Sequence, residues 1–375
     1  MPADSRPLRS SSEAPSWWAL VTTLASGTAL ALLLALGMAT MSEAGETRPR
    51  AEVGDVLTHP YADEVEGKTA TVLLPWQEVQ VSVGPVREEL PEFSGAPSDV
   101  AAPEGGRFVR VEVRPVTDTQ PSYFVTDRQR RTSAELVLSV DGTDHPLDSD
   151  SGLALDPGDA ESLRGGTRWV AVEGDPSDLE LRVITDGQVQ SVRPDGSVRR
   201  GRAADLDEVP PAEELQGVED EDCGPAERID ETGLELDGAD CAITLAARTP
   251  FVDGLGWAES RHEYLVVHIA RRDYLDIDDR AGDGRLSARA PRLDARLGSA
   301  RAVSGPVDVN ELNRGTLAIQ SVDDPQQFVF EVPVGTSPGD LTVSLDVEAE
   351  PRDPFATGDA EQVRLEWRVP AGDLA

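Results

Sequence analysis

The sequence predicts an all-β protein with two antiparallel β-sandwich domains that follow a single N-terminal transmembrane helix. One uncharged apolar run lies near the N-terminus, and beyond it apolar and polar residues alternate at period two through two long blocks. Gly, Pro and Asp separate the alternating segments, and similar segments recur in both blocks. The predicted order is tail 1–16, transmembrane helix 17–41, linker 42–70, first domain 71–198, connector 199–240 and second domain 241–375.

The composition is strongly acidic, with 70 Asp and Glu against 34 Lys and Arg and a formal net charge of −36. Because a field of this sign repels phosphate groups, it argues against binding to nucleic acid or to anionic lipid surfaces. Aromatic residues make up only 5% of the chain, so we expect cores of Val, Leu and Ala. The sequence contains no pattern that indicates a cofactor, and we expect none to be bound.

Residues 14–42 contain no charged side chain. The apolar part, residues 17–41, is long enough as a helix to cross about 30 Å of hydrocarbon. Lys and Arg are balanced on its two sides, so the short N-terminal tail decides the orientation: we expect a signal anchor with a cytoplasmic N-terminus and extracytoplasmic domains. A signal peptide cleaved near Ala44 is the alternative, although the run exceeds the roughly 7–15 apolar residues of a signal core.

Alternation places the strands along the rest of the chain. In residues 107–114, Val109, Val111 and Val113 share the predicted inner face. The linker and the connector lack this periodicity and carry many acidic residues, so we expect no core in either. The other predicted strands are residues 78–86, 134–140, 169–172, 179–183, 241–246, 264–269, 316–322, 328–332, 341–347 and 363–369.

The two blocks contain matching segments. Residues 108–113 match residues 264–269 in phase, and residues 176–183 match residues 338–345 at a similar distance downstream. In both blocks an aromatic residue leads the strand before the second match. We interpret the match as a domain duplication; the competing explanation is that any two alternating strands look alike.

A duplication predicts equivalent core positions, among them Val111 and Val267. It also draws attention to what differs, because the middles of the two blocks, residues 141–166 and 273–313, diverge most. Loops that a stable scaffold positions commonly carry binding sites. We therefore expect a partner surface on these divergent middles.

The second block carries a family resemblance. A long alternating strand, a variable middle, Phe-Val-Phe-Glu-Val-Pro at residues 328–333 and the pattern Asp-Leu-x-Val-x-Leu at residues 340–345 follow one another. This order resembles the immunoglobulin-like domains of exported Gram-positive proteins of unknown function, and the first block shows a weaker version. The resemblance implies a β-sandwich attached to the membrane or the cell wall. It implies no catalytic residues.

Two short patterns suggest catalysis, and their context argues against it. Residues 335–339 fit G-x-S-x-G, but Pro-Gly leads into a strand and the last histidine, His268, precedes the serine. His262 and Glu263 begin a zinc-protease motif, but Val266 stands where the second histidine is required. We expect no enzymatic activity.

An acidic segment in the second block is a candidate cation site. Asp276, Asp278 and Asp279 offer the oxygen ligands that calcium prefers. The EF-hand spacing fails, because Arg280 occupies a ligand position and no glutamate closes the loop. A solvated acidic loop is the competing interpretation.

Cys223 and Cys241 are the only cysteines in the chain. In an exported protein this pair predicts a disulfide, which would tie the connector to the second domain. The alternative is two unpaired thiols. The chain-entropy model gives such a loop about 3 kcal/mol of stabilisation.

These observations together predict a non-catalytic, membrane-anchored protein that binds or assembles with a protein partner of the cell envelope. The alternative is an exported hydrolase or sensor whose Asp and Glu side chains come together only in the fold. A cleft of converging carboxylates favours the alternative. An apolar edge or patch on a sandwich favours assembly.

Overall fold

A computed structural model of the protein describes residues 48–59, 67–90, 100–116, 124–126, 132–147, 166–215, 221–229, 235–237, 240–272, 276–278, 285–308, 325–351 and 361–374. These residues are mostly strands in several antiparallel sheets, which confirms the all-β prediction. The predicted transmembrane helix, residues 17–41, and the predicted strand 316–322 lie outside the described residues. Within the described ranges, no helix has the length and apolar character needed to cross a membrane.

In the described part of the chain, ten strands build the first domain. In chain order they are β1 (Val56–His59), β2 (Thr69–Leu74), β3 (Gln77–Arg87), β4 (Arg107–Pro115), β5 (Ala134–Val140), β6 (Thr143–Pro146), β7 (Gly166–Val172), β8 (Leu179–Thr185), β9 (Gln188–Val192) and β10 (Val198–Arg199). One sheet has the order β1-β7-β4-β3-β2 and the other β10-β9-β8-β5-β6. Residues of both sheets pack into one core that is mainly Val and Leu.

The second domain begins within the predicted connector. Its strands are β11 (Glu221–Asp222), β12 (Glu227–Arg228), β13 (Glu235–Asp237), β14 (Asp240–Thr249), β15 (Phe251–Val252), β16 (Gly256–Trp257), β17 (His262–Arg272), β18 (Asp276–Asp278), β19 (Arg285–Leu297), β20 (Ala300–Arg301), β21 (Ser304–Asp308), β22 (Gln326–Pro333), β23 (Leu341–Pro351) and β24 (Glu361–Val369). The sheets have the orders β11-β14-β17-β22-β21 and β12-β24-β23-β19-β18-β13, with β20 beside β19 and a separate β15-β16 hairpin. Both large sheets contribute to one core.

Six strands occupy corresponding places in the two domains. In the first domain β3-β4-β7 are adjacent in one sheet and β5-β8-β9 in the other; in the second domain β14-β17-β22 and β19-β23-β24 take these places. Each set follows the chain in the same order. Val111 of β4 and Val267 of β17 are both fully buried, each in the core of its own domain.

The linker predicted over residues 42–70 is wrong in its described part. Strand β1 pairs with β7, and β2 begins at Thr69. The reason lies on the outer face of β7, which carries Trp169 and Ala171. Ala51 and Leu57, both from the predicted linker, cover these two side chains. An apolar outer face needs such a cover, and the sparse apolar residues before the first domain supply it.

The predicted connector, residues 199–240, is also structured in its described parts. A 3-10 helix, Gly201–Glu208, buries Ala203 and Leu206 against Leu73 of β2. Strands β11, β12 and β13 join the sheets of the second domain. A short α-helix (Ala212–Leu215) follows the 3-10 helix, and another 3-10 helix (Ala371–Leu374) follows β24. The 3-10 helix of the connector thus forms a small apolar cluster of its own with Leu73 and Trp257, whereas Cys223 of β11 lies in the core of the second domain.

Candidate functional site at the domain junction

The predicted disulfide between Cys223 and Cys241 is confirmed. Their Cα atoms are 5.3 Å apart, and the Cys223 N–H donates to the Cys241 carbonyl at 3.0 Å. Both residues are buried in the core of the second domain. The bond therefore fixes β11, at the end of the connector, to β14.

The acidic segment predicted as a loop is a strand in its described part. Asp276 and Asp278 lie in β18, which pairs with β13 on one side and with β19 on the other. Asp279 lies outside the described residues. Cation binding by the three aspartates stays a prediction.

The serine of the G-x-S-x-G pattern has no strand–turn–helix setting. Ser337 lies between β22 and β23, and its Oγ donates to the Pro338 carbonyl at 3.5 Å. His268 Nε2 lies 3.1 Å from Gln327 Oε1, so this histidine and Ser337 have different hydrogen-bond partners. The local geometry does not fit the hydrolase elbow that this pattern suggests.

A segment of the first domain docks on the second. This docking segment, residues 124–126, belongs to the connection between β4 and β5. The Thr126 N–H donates to the Asp253 carbonyl and the Asp253 N–H to the Phe124 carbonyl, both at 2.9 Å. Thr132 donates to Asp253 Oδ1 from its N–H at 3.1 Å and from its Oγ1 at 2.7 Å. Phe124 is buried in an apolar cluster with Ala247, Val252, Ala258, Tyr264, Val266 and Val329.

His268 lies beside the docking segment. Gln327 donates from Nε2 to the Val125 carbonyl at 3.0 Å, while its Oε1 accepts from His268. The ring of Phe124 meets the imidazole edge-on, with centroids 6.4 Å apart. Burial lowers the pKa of His268, and the hydrogen bond to Gln327 raises it by less. The contact therefore favours the neutral imidazole.

A second contact between the domains involves the connector. Trp257 Nε1 donates to the Thr185 carbonyl of β8 at 2.9 Å. Arg202, on the 3-10 helix, donates to the carbonyls of Ala258, Glu259 and His262, the last two at 3.2 and 3.3 Å. One guanidinium group thus holds the backbone of the loop that leads into β17.

That loop brings together three potential metal ligands. Among the described residues, Glu259, His262 and Glu331 present ligand atoms within 4.8 Å of one another. Glu331, on β22, accepts the Glu259 N–H at 2.7 Å through Oε1. Nearby Tyr264 has its pKa raised, first by burial and then by the charge of Glu331. Two carboxylates and an imidazole at this spacing are suited to hold a cation.

In the sequence, His262 stands out only together with Glu263 and His268, and the fold gives it other partners. Glu263 pairs instead with Arg248, on the neighbouring strand. The partners the fold supplies for His262 are Glu259 and Glu331, and these two are 72 residues apart in the chain. No local pattern joins residues so distant; the pairing of β17 with β22 does.

No protein family matches the chain, and comparison with curated proteins and with solved structures finds no significant match. The resemblance to immunoglobulin-like domains therefore stays a prediction. The contacts and charges within the chain itself are the basis on which a function can be inferred.

Proposed function

We propose that the protein is a non-catalytic, membrane-anchored component of the cell envelope that binds or assembles with a protein partner. In this proposal residues 17–41 form the anchor, the N-terminus is cytoplasmic and both sandwiches are extracytoplasmic. The junction is the observation that carries the proposal. Polar side chains at the junction are of types common in active sites, but they make hydrogen bonds that join the two domains and the connector. They are Asp253, Arg202 and Gln327. Such a junction suits a scaffold that presents its outer surfaces to a partner.

We further propose that both domains are immunoglobulin-like and arose by duplication. The first, second and fourth of the six shared strands form one sheet, and the third, fifth and sixth form the other. In an immunoglobulin fold, strands A, B and E lie in one sheet and C, F and G in the other. In the second domain β21 follows β19 in the chain and pairs with β22, as strand D pairs with strand E.

We place the partner surface on the divergent middles of the two blocks, residues 141–166 and 273–313. Val303, just before β21, offers a test because it is 49% exposed, while Val334, after β22, is 56% exposed and lies outside the divergent middle. A photo-crosslinking amino acid at Val303 should yield one discrete adduct with an envelope protein in native membranes. The same amino acid at Val334 is the matched control and should yield none.

Identical adducts from both positions would place the contact elsewhere on the domain. The absence of a discrete adduct from any position in the divergent middle, residues 285–308 included, would contradict a binding role for this surface. Mass spectrometry of the adduct identifies the partner, which the sequence does not.

The membrane topology has a separate test. Protease added to intact cells should remove the sandwiches and spare a fragment containing residues 1–41, because only that end lies inside or within the membrane under this proposal. A chain that resists protease until the cells are lysed would reverse the orientation. A mature protein that begins near Ala44 would replace the anchor with a cleaved signal peptide.

A further inference from the structure

We propose that Glu259, His262 and Glu331 bind one divalent transition-metal ion, with zinc as the best fit, at the junction of the two domains. The ligand atoms of the three residues lie within 4.8 Å of one another. Around a bound zinc ion, with bonds of about 2.0–2.2 Å, neighbouring ligand atoms are separated by about 3.5 Å. The side chain of Glu259 is exposed, so its rotation can shorten this separation.

The orientation of the imidazole fits this role. His262 Nδ1 lies 3.3 Å from the carbonyl of Ser260. With the proton on Nδ1 donated to that carbonyl, Nε2 carries a free lone pair. Histidine ligands commonly use one ring nitrogen for the metal and donate the other N–H to a carbonyl or carboxylate, which fixes the tautomer. The Ser260 carbonyl is therefore placed to orient the imidazole for metal binding through Nε2.

The side chains of the site also match a divalent cation. Two carboxyl groups and one imidazole are of the ligand types that a divalent transition-metal ion prefers. Within the described part of the chain, neither glutamate forms an ion pair. The guanidinium of Arg202 is directed at the carbonyls of Ala258, Glu259 and His262. It therefore holds the loop that carries two ligands, and such support of ligands by neighbouring groups favours binding.

The mixture of ligands selects among metals. Calcium and magnesium prefer sites made of oxygen alone, whereas imidazole suits zinc and its neighbours in the first transition row. A site with three protein ligands leaves the remaining positions to water. This inference is independent of the proposed partner, because the three ligands lie outside the divergent middle of the second domain.

The experiment uses the full-length protein, purified in detergent and stripped of metal with a chelator. Isothermal titration with zinc chloride should give one tight site per chain, and zinc should raise the thermal midpoint. Calcium and magnesium chloride at the same concentrations should bind at least about tenfold more weakly. Equal binding of calcium and zinc, or many weak zinc sites without a tight one, would overturn the proposal.

Variants locate the site. His262→Ala and Glu331→Gln should each weaken zinc binding at least about tenfold, because the loss of even an outer-shell partner of a ligand typically costs that much. Glu259→Gln, at an exposed position, provides the same test with little risk to folding. The matched control is Glu263→Gln, next to His262 but paired with Arg248, and it should bind zinc like the unaltered protein. Unchanged affinity in folded Glu259→Gln and Glu331→Gln would also overturn the proposal.

Discussion

The core of the first sandwich is built from Val, Leu and Ala around Trp76, whereas that of the second contains Phe328, Phe330, Trp367 and a disulfide. The six shared strands nevertheless lie in the same order. The difference shows that this arrangement depends on the alternation of apolar and polar residues and on the order of the strands along the chain, rather than on which side chains fill the core. It also indicates that the two domains achieve their stability differently.

The strands outside the shared six support the same conclusion. Beside β7, the first domain places β1, which comes from the N-terminal end of the described chain. Beside β22, the second domain places β21, which comes from the middle of its block. An unpaired edge exposes backbone N–H and C=O groups, so covering it is favourable whichever segment does so. The same place in the sheet is thus filled from different parts of the chain.

The largest effect should come from truncating the aromatic core. Val170 and Phe330 are equivalent, because Val170 pairs with Val109 and Phe330 with Leu265 on the corresponding strands. Both are fully buried. Phe330→Ala should cost the second domain about 3–5 kcal/mol and Val170→Ala the first about 1–3 kcal/mol, because the larger side chain leaves the larger cavity. Hydrogen exchange in increasing urea, followed separately for each domain, measures both; equal losses would contradict the comparison.

Removing the disulfide should have the next largest effect. Replacement of both Cys223 and Cys241 by Ser should lower the free energy of unfolding of the second domain by about 3 kcal/mol and leave the first nearly unchanged, because the closed loop lies wholly in the second domain and its connector. The same domain-resolved exchange experiment measures it. As a check of the bond itself, both thiols of the denatured protein should react with a maleimide only after reduction.

A smaller effect tests whether the two sandwiches are coupled. Trp257→Phe keeps the aromatic contact with Phe251 but removes the hydrogen bond to the Thr185 carbonyl. The expected loss is about 0.5–1.5 kcal/mol. Exchange of amides in β8 and in the β15-β16 hairpin should quicken together. If only the hairpin responds, the domains behave independently.

The smallest effect concerns pH. The pKa of His268 is lowered in the folded state, so the unfolded chain binds its proton more readily. The stabilising contribution is present above the unfolded pKa of about 6.5 and is lost as the pH falls toward the folded pKa. Protection of the docking segment against exchange should therefore decrease below about pH 6.5. His268→Gln should reduce this pH dependence; a dependence that persists unchanged would assign it to other groups.

Alternation predicts most strands well because each strand has one face toward a core. Val109, Val111 and Val113 all lie in the first core, as expected. Strand β19 is not evident in the sequence, because Pro291 interrupts its pattern. The register of β19 against β23 shifts between Arg289 and Arg292, so a bulge accommodates the proline that otherwise excludes a central strand.

Aromatic residues give a misleading match. Trp169 and Phe328 each lead a strand in the sequence, but Trp169 lies in the cluster on the outer face of its sheet, whereas Phe328 lies in the core. A shift of one residue turns a side chain to the other face, and composition does not reveal it. The two strands match in their spacing along the chain, but their leading aromatic side chains lie on opposite faces of the sheet.

The junction and the metal-ligand group are beyond sequence reasoning. Thr132 and Asp253 are 121 residues apart, and Val125 and Gln327 are 202 apart. Such contacts arise only when two finished sheets meet, so the local sequence carries no trace of them. The disulfide between Cys223 and Cys241, by contrast, is predictable from the sequence, because they are the only two cysteines and the chain is expected to be exported.

Cutting the chain between the first sandwich and β11 would separate the docking segment from the domain in which it is buried. Phe124 belongs to the first sandwich by sequence but is buried among residues of the second. A recombinant fragment that ends before β11 would leave this ring in water, and self-association through it would be favourable. A fragment that begins at β11 would lack the ring and leave a gap in the apolar cluster that contains Val252 and Val329. Two full chains at high concentration have a further option, because each can lend its segment to the other and so form an exchanged dimer that uses no new contact.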